Sequence, residues 1–287
     1  MKRGFMGKSM TNKTVIVTGA SSGFGLLCVI ELAMKGFTVL ATMRDVKKAT
    51  QLLELAKEKE IEKTIHIHQL DVTSSDSIHE FKTLLSDYPS INVLVNNAGF
   101  ALGGFSEELS IEEYRRQFET NFFGVIAVTQ AILPFLRANG NGRIINISSI
   151  SGRMGFPGLS AYVSSKHALE GYSESLRLEL KPFGIDVSLI EPGSYQTNIW
   201  ASVDQMDIDP DSPYLSYMER MMKEIEGGKE AHGDPIEVAK LVAKITSQQK
   251  TPDLRYPVGK GVKQTLFLKS LMPWKFIESV ILKKLRQ

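Results

Sequence analysis

The chain has 287 residues, 43% of them hydrophobic and 23% charged, which suits a globular domain long enough to bury a core without cross-links. A formal net charge of +2 excludes a strongly basic nucleic-acid binder, so no nucleic acid is expected as a partner. The single cysteine, Cys28, excludes an internal disulfide framework and fits a reducing compartment, so a cytoplasmic location is expected.

Residues 1–12 carry two early basic residues with no apolar run behind them and read as a flexible lead, not a signal peptide. "KTVIVTGA" at 13–20 is a short β-branched run ending in glycine, the pattern of a buried strand. "GLLCVIELAMKG" follows with helical periodicity and stops at Gly36. It places Cys28 in an apolar helix face, as a core thiol. "FTVLATMR" is a second strand, "DVKKATQLLELAKEKE" an amphipathic helix, and "TIHIHQLDV" at 64–72 a third strand. His66 and His68 share one face of that strand without a third ligand, so no metal is expected.

"SSDSIHEFKTLLSDY" opens on Ser and Asp caps and continues as a helix. "INVLVNNAG" is a fourth strand, 112–137 a single long helix, "GRIINISS" a fifth strand, 161–184 a helix, and "IDVSLIEPG" a sixth strand. The alternation of apolar strands with helices predicts one α/β domain over 13–287. It is a Rossmann-type doubly wound parallel sheet with helices on both faces.

After Gly193 the alternation breaks. Residues 195–232 are polar, then rich in Met and aromatics, and read as a substrate lid. Trp200, Met206, Tyr214, Tyr217, Met218, Met221 and Met222 either line an adaptable apolar pocket or pack as ordinary helix contacts. A helix from 234 has Asp234 as cap and Pro235 at its first position, and "LRYPVGKG" is a last strand. Residues 263–287 form an amphipathic basic extension. It is read as packing over the pocket or a subunit contact in preference to lying on a membrane surface. No run of about 18 apolar residues occurs, so no helix is expected to cross a membrane.

"TGASSGFG" at 18–25 lies between the first strand and the first helix. Its glycines permit a tight turn and close approach to a pyrophosphate, and the helix start behind it offers free N–H groups. A dinucleotide site is expected there, and no lysine of the ATPase type follows the last glycine. At the end of the second strand, Met43 and Arg44 stand where an acid would favour NAD. A guanidinium there can grip a 2′-phosphate, so NADP(H) is favoured and NAD(H) is the alternative. Asp71, ending the third strand, is placed to meet the adenine, with Val72 beside it.

These motifs together resemble the short-chain dehydrogenase/reductase family, over roughly residues 13–197. The family's T-G-x-x-x-G-x-G is matched by Thr18, Gly19, Ser21, Ser22, Gly23, Phe24 and Gly25, and its N-N-A-G by Asn96, Asn97, Ala98 and Gly99. Its helix asparagine is matched by Asn121, its serine by Ser149, its Y-x-x-x-K by Tyr162 and Lys166, and its P-G turn by Pro192 and Gly193. The resemblance implies a catalytic set of Ser149, Tyr162, Lys166 and Asn121. Tyr162 would move the proton at a carbonyl oxygen, a task for which a phenol of pKa about 10 needs help. Lys166, one helical turn on, would stabilise the phenolate and hold the nicotinamide ribose. Ser149 would align the substrate oxygen, and Asn121 would hold a relay water. Pro192, Gly193, Tyr195 and Thr197 would meet the cofactor's nicotinamide end. Glu191 and Tyr195 depart from the family's usual residues and are expected to shape the pocket.

The family also implies a small-molecule carbonyl or alcohol substrate and a homo-oligomer, dimer or tetramer. The lid and tail lean toward steroid-, retinoid- or acyl-chain-like compounds. Two other functions fit the same scaffold, a non-catalytic nucleotide-binding regulator and an epimerase or dehydratase.

Overall fold

The computed structural model describes residues 13–195, 197, 210–228 and 232–286. The lead 1–12, Trp200 and Met206 lie outside the described residues. The strands are β1 (Thr14–Thr18), β2 (Thr38–Met43), β3 (Ile65–Gln69), β4 (Ile91–Asn96), β5 (Gly142–Ile147), β6 (Ile185–Pro192) and β7 (Arg255–Val258). The helices are α1 (Gly23–Met34), α2 (Thr50–Glu58), α3 (Ser75–Leu84), α4 (Ile111–Phe118), α5 (Gly124–Ala138) and α6 (Ser160–Leu180). They continue as α7 (Leu215–Gly228), α8 (Ile236–Ser247), α9 (Val262–Leu271) and α10 (Trp274–Arg286).

All strand pairs are parallel, in the order β3-β2-β1-β4-β5-β6-β7. The chain leaves β1 toward one edge, then returns to β4 and builds toward the other. The central strands are buried along their length because both faces carry helices. On one face Cys28, Val29 and Leu32 of α1, Leu52 of α2 and Val242 of α8 pack against the sheet. On the other, Phe81 of α3, Ile132 of α5 and Leu176 of α6 do so. This is the single-domain doubly wound architecture expected.

Local differences have physical causes. β3 ends at Gln69, not Val72, and Leu70, Asp71 and Val72 leave the ladder to line a cavity. The long helix expected over 112–137 is two helices joined by a π-turn, Glu119–Phe123. α4 starts on a capping box of Ser110 and Glu113, one residue before the expected start. Together α4 and α5 contain a window of mean hydropathy 1.4, long and apolar enough to cross a membrane by composition, contrary to the sequence expectation. Val128, Ile132 and Leu136 spend that apolar face on the sheet.

Pro257 sits in β7 at the sheet edge, where a missing N–H is tolerated. α8 begins one residue later than expected, and Asp234 Oδ1 accepts the N–H of Ile236 at 2.9 Å. His68 Nε2 hydrogen-bonds the Tyr88 hydroxyl at 2.9 Å. No cluster of three metal-ligating side chains exists among the described residues.

Candidate active site

A cavity of about 980 Å³ opens at the C-terminal ends of β1 and β4, where the strand order turns outward in both directions. Such a switch point is where open α/β sheets bind ligands.

Its floor is two laced loops. Thr18 Oγ1 accepts the N–H groups of Asn97 and Ala98 at 2.9 and 3.0 Å. Asn97 Nδ2 donates back to the carbonyls of Thr18 and Gly19 at 2.9 and 3.0 Å. Gly19 has φ +68°, and a Cβ there would stand 2.8 Å from Ala98 Cα. A Cβ on Gly25 would stand 2.2 Å from the Gly19 carbonyl oxygen. Only glycine at both positions lets α1 sit directly under the loop. Ser22, the N-cap of α1, makes no side-chain cap hydrogen bond. The positive end of α1 therefore meets a wall built by Gly19, Ser21, Ser22, Gly23 and Phe24, a setting that fits a phosphate group.

Arg44 reaches the cavity from the end of β2, exposed at its rim. Its neighbour Asp45 is committed to the N–H of Lys47 at 3.0 Å. Asp71 and Val72 line the same side, and Asp71 Oδ1 accepts from the N–H and hydroxyl of Thr73 at 2.9 and 2.7 Å.

Ser149, just past β5, and Tyr162 and Lys166, in the first two turns of α6, form the opposite wall. All three are buried. Lys166 Nζ lies 5.8 Å from the Tyr162 ring centroid and donates to the Ile147 carbonyl at 2.8 Å. Burial pushes the Tyr162 phenol up to about 12, opposed by its hydrogen bond with Ser149. Burial pulls the Lys166 amine down to about 8, opposed by the charge of Glu170. The expected lowering of the phenol by Lys166 is not among the causes of its shift, which desolvation sets and Ser149 opposes, while the ammonium is directed to the Ile147 carbonyl.

Ser148 also lines the cavity, but its hydroxyl is committed to Glu170 Oε1, to which it donates at 2.6 Å. Asn121 sits in the π-turn and clamps one residue from both sides. Its Oδ1 accepts the Phe100 N–H at 3.1 Å and its Nδ2 donates to the Phe100 carbonyl at 2.9 Å.

Of the residues singled out from sequence, Thr18, Gly25 and Asn121 stand behind the cavity wall instead of in it. Asn97, Ala98, Gly99, Pro192, Gly193, Tyr195 and Thr197 line it. The Tyr195 ring is buried edge-on to Phe24 at 5.5 Å, and its hydroxyl donates to Glu237 Oε2 at 3.1 Å. Glu191 does not shape the pocket; it points into the protein toward Arg153 and Arg255, at 3.1 and 3.2 Å. Sequence reasoning missed Phe100, Arg116, Glu119 and Thr120 in the wall. The last three stand at i, i+3 and i+4, one face of a turn, a spacing that was available but carried no motif.

Of the described lid residues, Tyr195 and Thr197 line the cavity, whereas those from 210 onward do not. Phe105 and Tyr214 stack at 4.4 Å, and Met218 and Met221 pack with them. Packing, not pocket lining, is the role of Tyr214, Tyr217, Met218, Met221 and Met222.

Comparison with known proteins agrees with this geometry. The family model for short chain dehydrogenase matches residues 13–208. The chain is 53% identical to the Bacillus subtilis protein "Uncharacterized oxidoreductase YusZ" over 279 residues, 96% of this chain and 99% of the relative. It is 36% identical to the 3-ketodihydrosphingosine reductase of Bacteroides thetaiotaomicron over 263 residues, covering 91% and 93%. A short-chain dehydrogenase structure from Streptomyces avermitilis superposes with a TM-score of 0.77 at 33% identity, covering 92% of this chain and 94% of that one. The actinorhodin polyketide ketoreductase variant solved with NADPH gives 0.76 at 31% identity, covering 88% and 98%. With the phosphate loop, the switch-point cavity and the Ser-Tyr-Lys wall in place, the chain belongs to the short-chain dehydrogenase/reductase family and is an alcohol/carbonyl oxidoreductase.

Proposed function

We propose that this enzyme interconverts a ketone or aldehyde and an alcohol at the Tyr162 wall, preferring NADP(H) over NAD(H), with an apolar, steroid-, retinoid- or acyl-chain-like substrate. The observation that carries the reading is one cavity running from the N-terminus of α1 to Tyr162 and Lys166. When bound, the nicotinamide cofactor supplies or takes up the hydride.

The protein's own groups handle position and the proton. In reduction, the Tyr162 phenol gives its proton to the substrate oxygen, which Ser149 holds by a hydrogen bond. Lys166, buried and still protonated near neutral pH with its pKa at about 8, steadies the resulting tyrosinate and grips the ribose. A water held at the π-turn of Asn121 links Lys166 to solvent and restores the proton. In oxidation the same groups work in reverse. Thr18 and Gly25 act on the cofactor by shaping the loop. Arg44, exposed at the cavity rim, would pair with a 2′-phosphate, and its position supports the NADP(H) preference, as does the NADPH bound by the polyketide ketoreductase.

One observation supports an apolar substrate: a relative 36% identical to this chain is named 3-ketodihydrosphingosine reductase. A cytoplasmic location and a homo-oligomer complete the proposal. Titration of wild type and Arg44→Ala with NADPH and NADH tests it, followed by a carbonyl panel. A clear NADPH preference that closes in the variant is expected. Equal affinity of wild type for both nucleotides would end the NADP(H) assignment. Tight nucleotide binding with no carbonyl turned over would favour the regulator reading.

A further inference from the structure

The tail carries an outward-facing apolar surface that its own helices leave bare. Of the fifteen exposed large hydrophobic residues among the described ones, seven fall within 267–280. On α9, Val262 is buried and Lys269 turns inward to the Arg153 carbonyl. Phe267, Leu268 and Leu271 occupy the opposite side at 64%, 51% and 63% exposure. On α10, Ile281 packs into the cluster of Phe105, Met218 and Met221. Phe276, Val280 and Lys283, at i, i+4 and i+7, share an exposed side. The amphipathic pattern of the extension is therefore only partly spent on packing. A helix pair that turns Phe and Leu outward is unusual for a surface that meets only water.

The charge of this segment selects the occupant. Residues 260–286 hold seven Lys and Arg against one acid, Glu278, while the rest of the chain is net negative. Lys263 stands one turn before Phe267 on the exposed side of α9, and Lys283 one turn after Val280 on α10. A two-fold contact between copies through this face would press two such cationic clusters together. An anionic lipid surface would neutralise them while taking up the apolar side chains, and Trp274, 57% exposed, suits the boundary between the two.

We infer that the exposed sides of α9 and α10 dock the enzyme on a negatively charged lipid surface, with Phe267, Leu271, Phe276 and Val280 entering the headgroup region and Lys263 and Lys283 pairing with lipid anions. This rests on the tail alone and stands or falls apart from the catalytic reading.

The test is cosedimentation of the full-length chain with phosphatidylcholine vesicles and with phosphatidylcholine/phosphatidylglycerol vesicles, at low and high salt. The expected result is binding to the anionic vesicles only, weakened by salt. In a Trp200→Phe background, Trp274 emission should shift to the blue on binding. Lys263→Gln with Lys283→Gln should reduce partitioning about thirtyfold, the worth of two interfacial cations. Phe267→Ser with Leu271→Ser should abolish it. Turnover of a water-soluble carbonyl should be unchanged in both variants, since these residues lie outside the active site. A chain that stays in the supernatant with anionic vesicles overturns the inference, as do variants that bind like wild type. If Phe267→Ser with Leu271→Ser instead splits an oligomer by light scattering and vesicles are ignored, the face belongs to a second copy.

Discussion

Glu191 Oε1 lies 3.2 Å from Arg255 Nε, in a strand residue whose side chain is fully buried directly before the Pro192–Gly193 turn. The same Arg255 nitrogen reaches Glu170 Oε2 at 2.9 Å, and Arg255 also pairs with Glu174. Two buried carboxylates behind the active site thus share one guanidinium. Burial and Glu170 push the Glu191 carboxyl above its usual range, opposed by Arg153 and Arg255. Its Oε2 is buried without a hydrogen-bond partner among the described residues.

Arg255→Met should therefore destabilise the protein by about 3 kcal/mol, the usual cost of stranding one side of a buried pair. A carboxyl whose folded pKa is raised favours folding less as pH climbs above its unfolded value. The penalty in the variant should thus be larger at pH 8 than at pH 5. Urea denaturation at the two pH values reads this directly, and a pH-independent loss would contradict it.

Glu170 also raises the pKa of Lys166, against the stronger pull of burial. Glu170→Gln should lower the Lys166 pKa further below about 8, so the amine loses its charge at lower pH. The alkaline limb of the kcat profile for reduction should move to lower pH, because the tyrosinate loses its cation sooner. A limb that stays in place would separate Lys166 from the rate.

Gly25 and Gly171 make a matched pair. A Cβ at Gly25 meets backbone oxygen at 2.2 Å, whereas one at Gly171, exposed on α6, meets nothing within 4 Å. Gly25→Ala should weaken nucleotide binding and destabilise the fold by about 2 kcal/mol or more. Gly171→Ala should stabilise it by about 0.5–1 kcal/mol. Thermal unfolding with and without nucleotide distinguishes the two.

Cys28 is fully buried in α1, and burial together with Glu31 pushes its thiol up to about 12. It should be inert to a thiol reagent in the native protein and react stoichiometrically in denaturant. Between pH 9 and about 12 the unfolded thiol ionises and the folded one does not, so stability should fall across that window.

The doubly wound parallel sheet was legible because apolar strands alternating with helices leave few alternatives, and the phosphate loop because its glycines have one geometric use. The wall residues carried by β1, β4, β5 and α6 were legible for the same reason: motif and strand end coincide. The π-turn at Asn121 was not, since its helix periodicity continues through 118–124 and only the clamp on Phe100 reveals the extra residue. Glu191 could not be placed from sequence either. Its facing depends on Arg153 and Arg255, 38 and 64 residues away. The tail pattern gave helices, with α10 amphipathic as expected, but α9 carries apolar residues on both sides, so which side would face outward was not legible.

The central claim is that Tyr162 moves the proton at the substrate oxygen. The most direct measurement is single-turnover reduction of a carbonyl substrate by wild type and Tyr162→Phe, each saturated with the preferred nucleotide and each checked for nucleotide affinity by fluorescence. The account predicts unchanged nucleotide binding and a rate lower by about 10²–10⁴-fold. Full activity in Tyr162→Phe, with the nucleotide bound, would contradict it.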